Sequence, residues 1–313
     1  KAIGDAWGRA KRWEEAQAAY EAAKRRARLP NVLAAIATAQ GIAASEQPDL
    51  ARAEAAFREA LAHRESVERD SLAVAASLHE LGSVSYTRGD LAAATASFGK
   101  ALAIREQRAP ESLVVADTLG WLGALANALD SHDEAERLCK RSLVIRDRLV
   151  PAALRFAQSL TCLGGVAWAR GDLPTAEGWW ERALEIQLRL APDSRTVSWS
   201  LNNLGLLATQ RGDHATAEDL LRRSLAIKET LNARSHEVSV VLNNLGNVAY
   251  CRGYPEVAEH FYRRSLEISQ AGGFDGREQA FALHNLANTV RATGDLMKAE
   301  ALQTQSLAVL ERR

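Results

Sequence analysis

Apolar residues in this chain recur with the period of a helix. Leu201, Leu204 and Ala208, and then Leu220, Leu221 and Leu225, follow the i, i+3, i+4, i+7 spacing that gathers side chains on one helical face. Between such runs the chain is punctuated by Arg88-Gly89-Asp90, Arg170-Gly171-Asp172 and Arg211-Gly212-Asp213. Glycine suits the left-handed residue that ends a helix, and aspartate caps the next helix by accepting a backbone N–H. Pro174 and Pro255 fall in the first turn of their helices, where a missing N–H costs nothing. Ser71, Ser112, Ser194 and Ser235 stand in register as predicted N-caps at the other junction. The pattern therefore predicts helical hairpins. It also explains the Arg-Gly-Asp tripeptides as turns, without an adhesion role.

The hairpins repeat. Leu-Gly pairs occur at Leu81-Gly82, Leu122-Gly123, Leu163-Gly164, Leu204-Gly205 and Leu245-Gly246, each glycine 41 residues after the last. One step on is Leu286-Ala287, one step back is Gly41, and Gly4 lies 37 residues before that. Asp49, Asp90, Asp172, Asp213 and Asp295 share the register, as do Ile104, Ile145, Ile186, Ile227 and Ile268. Such self-similarity is the mark of a solenoid whose hairpins can bury their apolar faces only by stacking. The expectation is an all-α, right-handed superhelical solenoid of about eight antiparallel helix pairs, filling residues 1–313 as one domain. The small residues of the glycine column, with Ala94, Ala135, Ala176, Ala217, Ala258 and Ala299 on the second helices, are expected to let the paired backbones approach. Phe98, Trp180, Leu221 and Tyr262 are expected to fill the space between repeats, and Trp179 to pack there too. Gln303 replaces the last of these large residues, as an exposed terminal repeat would require.

Composition changes this picture little. The chain of 313 residues carries 39 basic and 39 acidic residues, so no net charge draws it toward nucleic acid or an anionic membrane. No apolar run approaches the roughly 18 residues of a membrane span. Cys139, Cys162 and Cys251 are too few and scattered for a disulfide framework or zinc cluster, and reduced thiols in a cytoplasmic protein are expected. The chain starts at Lys1 without a signal-peptide pattern, which fits a piece of a longer protein. The seven histidines are dispersed, and neither a His-Glu-x-x-His motif nor a phosphate-binding glycine loop occurs. Gly272-Gly273-Phe274-Asp275-Gly276 is read as an inter-repeat loop. Accordingly neither enzymatic activity nor a cofactor nor a metal is expected.

The residues Leu201, Leu204-Gly205, Ala208, Ala217, Leu221 and Ser224 resemble the tetratricopeptide repeat. The 41-residue period and Ser-Leu-Asn-Asn-Leu-Gly at 200–205 are similar to its kinesin-light-chain variety, whose bacterial forms accompany caspase-like peptidase and signalling domains. The resemblance implies a protein- or peptide-binding scaffold, the recognition or regulatory module of a larger bacterial signalling protein. It further implies a concave groove lined by the first helix of each hairpin. Carried onto this chain, the groove positions include His79, Asn202, Asn243 and His284, three before the glycine. Ser83, Asn247 and Asn288 follow one after it, and Tyr86, Asn127, Trp168, Thr209, Tyr250 and Arg291 four after it. Asparagines donate and accept, which suits an extended peptide backbone, and the aromatic residues suit apolar side chains. Asn203, Asn244 and Asn285 are read as structural and set aside.

The alternative reading is a nucleic-acid-binding solenoid, or a sensor domain gating an attached effector. Its basis is the basic rows Lys140-Arg141, Arg222-Arg223 and Arg263-Arg264. Glu136, Glu218 and Glu259 precede them by one turn and are expected to neutralise them, so nucleic acid is not the expected partner.

Overall fold

The computed structural model describes residues 2–46, 49–151, 153–233, 235–272 and 276–311, with side chains from residue 13 onward except at 46, 272 and 277. Positions 273–275 of the glycine-rich loop lie outside the described residues. The described residues form fifteen helices and no strand. Two compact units result, residues 1–151 and 152–313.

The first unit holds α1 (Ala2–Arg26) and three hairpins: α2 (Pro30–Glu46) with α3 (Leu50–Glu65), α4 (Leu72–Thr87) with α5 (Leu91–Arg108), and α6 (Leu113–Ala128) with α7 (His132–Leu149). The second holds four: α8 (Leu154–Ala169) with α9 (Leu173–Leu190), α10 (Arg195–Gln210) with α11 (His214–Asn232), α12 (His236–Cys251) with α13 (Pro255–Gly272), and α14 (Gly276–Ala292) with α15 (Leu296–Glu311). The hairpin counted from Gly4 is thus one unbroken helix, α1. Lys11 and Arg12 occupy the register of the turn, and both residue types favour helix, so nothing ends it there.

The turns follow the residues. Gly89, Gly171, Gly212, Gly253 and Gly294 take φ between 79° and 96°, a region open to glycine but costly to residues with a Cβ. Asp130 holds the same place between α6 and α7 and is forced to φ 57°. Asp90, Asp172 and Asp213 accept from Ala93, Thr175 and Thr216 N–H at 2.9, 3.2 and 3.1 Å. Ser71, Ser194 and Ser235 cap likewise. The expected cap at Ser112 does not form: its hydroxyl is buried and has no partner among the described residues.

The glycine column has a different cause from the one expected. A Cβ on Gly82, Gly164 or Gly246 would meet not a facing backbone but the ring of Phe98, Trp180 or Tyr262, within 2.9, 2.4 and 2.4 Å. Each ring therefore seats on the glycine of its own hairpin. It also reaches the next hairpin, as Phe98 does with Leu125 and Tyr262 with Leu286 and Val290. Buried serines tie the two helices of a hairpin together. Ser142, Ser224, Ser265 and Ser306 donate to the carbonyls of Ala116, Ser198, Ser239 and Ala280 at 2.7–2.8 Å. The expectation of reduced cysteines holds at Cys251, a free and exposed thiol, and fails at Cys139 and Cys162, which are disulfide-bonded.

Candidate functional site

The first helices of the second unit, α10, α12 and α14, lie side by side. They present a stripe set by helical spacing: Asn202, Leu206 and Thr209 on α10, Asn243, Asn247 and Tyr250 on α12, His284, Asn288 and Arg291 on α14. Each of these residues keeps solvent-accessible surface. Trp168 on α8 is exposed as well, and its indole N–H donates to Gln210 Oε1 at 3.1 Å.

The asparagines are joined across hairpins. Asn244 Nδ2 donates to Asn202 Oδ1 at 3.0 Å. Asn285 Nδ2 donates to Asn243 Oδ1 and to Asn247 Oδ1, both at 3.1 Å. Asn247 Oδ1 also accepts from Tyr262 Oη at 2.7 Å. Asn244 and Asn285 are therefore the structural amides they were read to be, and they orient the others. With Oδ1 engaged, Asn202, Asn243 and Asn247 each keep an Nδ2 donor that no described residue accepts. Burial, first of all, raises the Tyr262 phenol well above its ordinary range, so it stays a donor to Asn247.

At the end of this stripe His284 has an amide side chain beside each ring nitrogen. Asn288 Nδ2 lies 3.0 Å from its Nε2 and Gln303 Nε2 lies 3.1 Å from its Nδ1. Gln303, standing in the ring column, is exposed as expected. Thr209 Oγ1 donates back to the Gly205 carbonyl at 2.8 Å, leaving its methyl and the oxygen lone pairs as its contribution. Among the described residues no side-chain hydrogen bond or ion pair engages Tyr250 or Arg291, and both stand exposed.

In the first unit the candidates are more constrained. His79 Nδ1 lies 3.0 Å from Arg105 Nη1, and its ring meets Phe98 edge-on at 5.1 Å. Arg105 also donates to Thr118 Oγ1 and, at 3.0 Å, to the Val114 carbonyl. Tyr86 packs edge-on against Trp121 at 5.3 Å, and burial raises its phenol. Asn127 Oδ1 is taken by His132 Nδ1 of its own hairpin turn at 3.0 Å. Ser83 is half-buried, and among the described residues its hydroxyl has no hydrogen-bond partner. Burial pushes the nearby Glu80 carboxyl up, while Arg105 and Arg64 oppose it.

Two residues on the same stripe escaped the pattern. Trp199 and Phe281, one turn before Asn202 and His284, are 46% and 55% exposed. Lys228 Nζ lies 5.9 Å from the Trp199 ring centre and 3.0 Å from Glu237 Oε2. Extending the i, i+3 spacing back by one turn would have found both aromatics.

The basic rows are neutralised. Lys140, Arg222 and Arg263 pair with Glu136, Glu218 and Glu259 one turn back. Arg141, Arg223 and Arg264 pair with Glu106, Asp219 and Glu229. Among the described residues no cluster of three His, Cys, Asp or Glu could hold a metal, and no helix is long and apolar enough to cross a membrane.

The tetratricopeptide-repeat pattern matches residues 155–230 and 236–312, and a second form of the same repeat matches 74–108. Three solved structures are similar in fold. BtubC (BKLC) of P. vanneervenii is 22% identical, with 72% of this chain and 91% of that one covered and a TM-score of 0.61. A Podosopora anserina protein of nearly identical, kinesin-light-chain TPR-like repeats is 19% identical, with 63% and 95% covered and a TM-score of 0.51. The Rap conjugation gene regulator of plasmid pLS20, in complex with the Phr* peptide, is 16% identical, with 77% and 75% covered and a TM-score of 0.60. No curated protein matches the chain in sequence.

Proposed function

This chain belongs to the tetratricopeptide repeat family, and from that membership we propose that it is a peptide- or protein-binding scaffold. Its binding face is the stripe of first helices in the second unit, α10, α12 and α14, which suits an extended peptide. The observation that supports this most is the fixed polarity of the amides: the bonds from Asn244 and Asn285 leave Asn202, Asn243 and Asn247 as outward donors. A peptide backbone supplies carbonyl acceptors along its length, and a row of donors meets them without reading side chains. Trp199, Tyr250 and Phe281 flank the row and suit apolar side chains. The pLS20 regulator, similar in fold, is itself bound to a peptide. In this reading the chain serves as the recognition or regulatory module of a larger signalling protein. The ion pairing along Lys140-Arg141, Arg222-Arg223 and Arg263-Arg264 argues against the nucleic-acid alternative, because neutralised charges release few counterions.

The test is affinity capture from the source cell's lysate with the intact chain and with Asn202→Ala/Asn243→Ala/Tyr250→Ala. A protein retained by the intact chain and lost by the triple variant is the expected result. Equal capture by both would remove the stripe as the binding face.

A further inference from the structure

The second helices of the second unit carry a groove of their own, about 760 Å³ in volume, between α9 and α11 and floored by α10. Leu204, Leu207 and Leu184 form its bed, with Leu188 and Leu220 on its sides. Along the α9 rim stand Glu177, Glu181 and Glu185, one per turn.

This row breaks the register. At the position of Glu181, α7, α11 and α13 carry Lys140, Arg222 and Arg263, each paired with the glutamate one turn before it. In α9 that cation is absent, and Glu177 keeps only the pair with the turn arginine, Arg211 at 2.6 Å, that Glu218 makes with Arg252 in addition to Arg222. Glu181 and Glu185 have no ion-pair partner among the described residues. Arg182 stands on the same rim, but its guanidinium lies over the Phe156 ring at 5.6 Å. At the place of Leu188, α11 has Glu229 and α13 has Gln270, so the exposed leucine is also peculiar to this groove. An exposed leucine beside an apolar bed, bordered by two unneutralised carboxylates, complements a segment of opposite pattern.

We propose that this groove is a second docking site, separate from the face of first helices, for a cationic amphipathic segment of a partner. Such a segment lays a leucine or aromatic side chain on Leu184, Leu188 and Leu220. It brings lysine or arginine, spaced by one turn, to Glu181 and Glu185.

The probes are a fluorescein-labelled helical peptide of leucine and lysine and its leucine–glutamate counterpart, followed by anisotropy at physiological salt. Glu181→Arg/Glu185→Ala gives α9 the residues that α11 carries at these places, and Leu188→Gln gives it the residue of α13, so each substitution is one the repeat already accommodates. The basic peptide binds the intact chain, and the charge variant weakens it by about tenfold or more. Leu188→Gln weakens it several-fold, and Asn243→Ala/Tyr250→Ala leaves it unchanged. Equal binding of the acidic peptide, indifference to the charge variant or to Leu188→Gln, or loss on Asn243→Ala/Tyr250→Ala would each overturn the assignment.

Discussion

Asn285 Nδ2 reaches back to Asn243 Oδ1 at 3.1 Å, joining the first helices of two successive hairpins through their side chains. The same nitrogen serves Asn247 Oδ1, so one structural amide orients two candidate binding amides. Asn285→Ala should therefore impair the binding face without touching a ligand. We expect a stability loss of about 1 kcal/mol, the net worth of such hydrogen bonds, and reduced partner capture. Urea melts and capture from lysate check the two effects. Full capture by Asn285→Ala would show that amide orientation does not matter to binding.

Gly246 faces the Tyr262 ring with no room for a methyl group. Gly246→Ala should destabilise the second unit by about 1–3 kcal/mol, the usual cost of forcing extra volume into a packed site. In a Tyr262→Leu background, the pairing found at Gly205 and Leu221, the same substitution should cost less, since leucine can move aside. A double-mutant cycle in urea measures the coupling, and independent costs would remove the ring as the cause.

Asp130 adopts φ 57° where the other hairpins of this turn type use glycine. Asp130→Gly should stabilise the first unit by about 1 kcal/mol, because the left-handed conformation penalises a Cβ by that order. A rise in melting temperature is the expected readout. Asp130→Val, whose branched side chain fits this region worst, should lower it.

Lys228 is only 3% exposed, and burial lowers its pKa from the ordinary 10.5, with Glu237 opposing and Arg195 adding to the shift. Between the lowered folded value and 10.5 the unfolded chain binds the extra proton, so this group makes stability rise with pH across that window. Lys228→Gln, which installs the residue held in register by Gln187, should abolish that contribution. The stability difference between the two proteins, followed by urea melts toward pH 10.5, should shift in favour of the lysine form as pH rises. A constant difference would show that Lys228 titrates normally.

The helices, turns and most caps were legible because their causes are local. A capping aspartate accepts from an N–H three residues on, and a helix face is set by neighbours three or four positions away. Hence Asp90, Asp172 and Asp213, the turn glycines, and the ion pairs Glu218–Arg222 and Glu259–Arg263 stand where the residues alone placed them. The merged first hairpin, α1, was legible too, since Lys11 and Arg12 stand where the other hairpins carry turn residues and both favour helix.

What the amino-acid sequence determined by itself was the period, the hairpins and the residues sharing each face, since all of these repeat along one chain in a fixed register. Tertiary structure decided what those residues do. Asn202 and Asn244 are 42 positions apart, so which amide donates, and which is left with a free N–H, is settled only when hairpins pack. For the same reason the glycine column proved to make room for rings, and the serine column to bond facing carbonyls. The α9 groove likewise depends on packing: its leucines and glutamates lie along one helix, and only the neighbouring α10 and α11 turn them into the bed and rim of one surface.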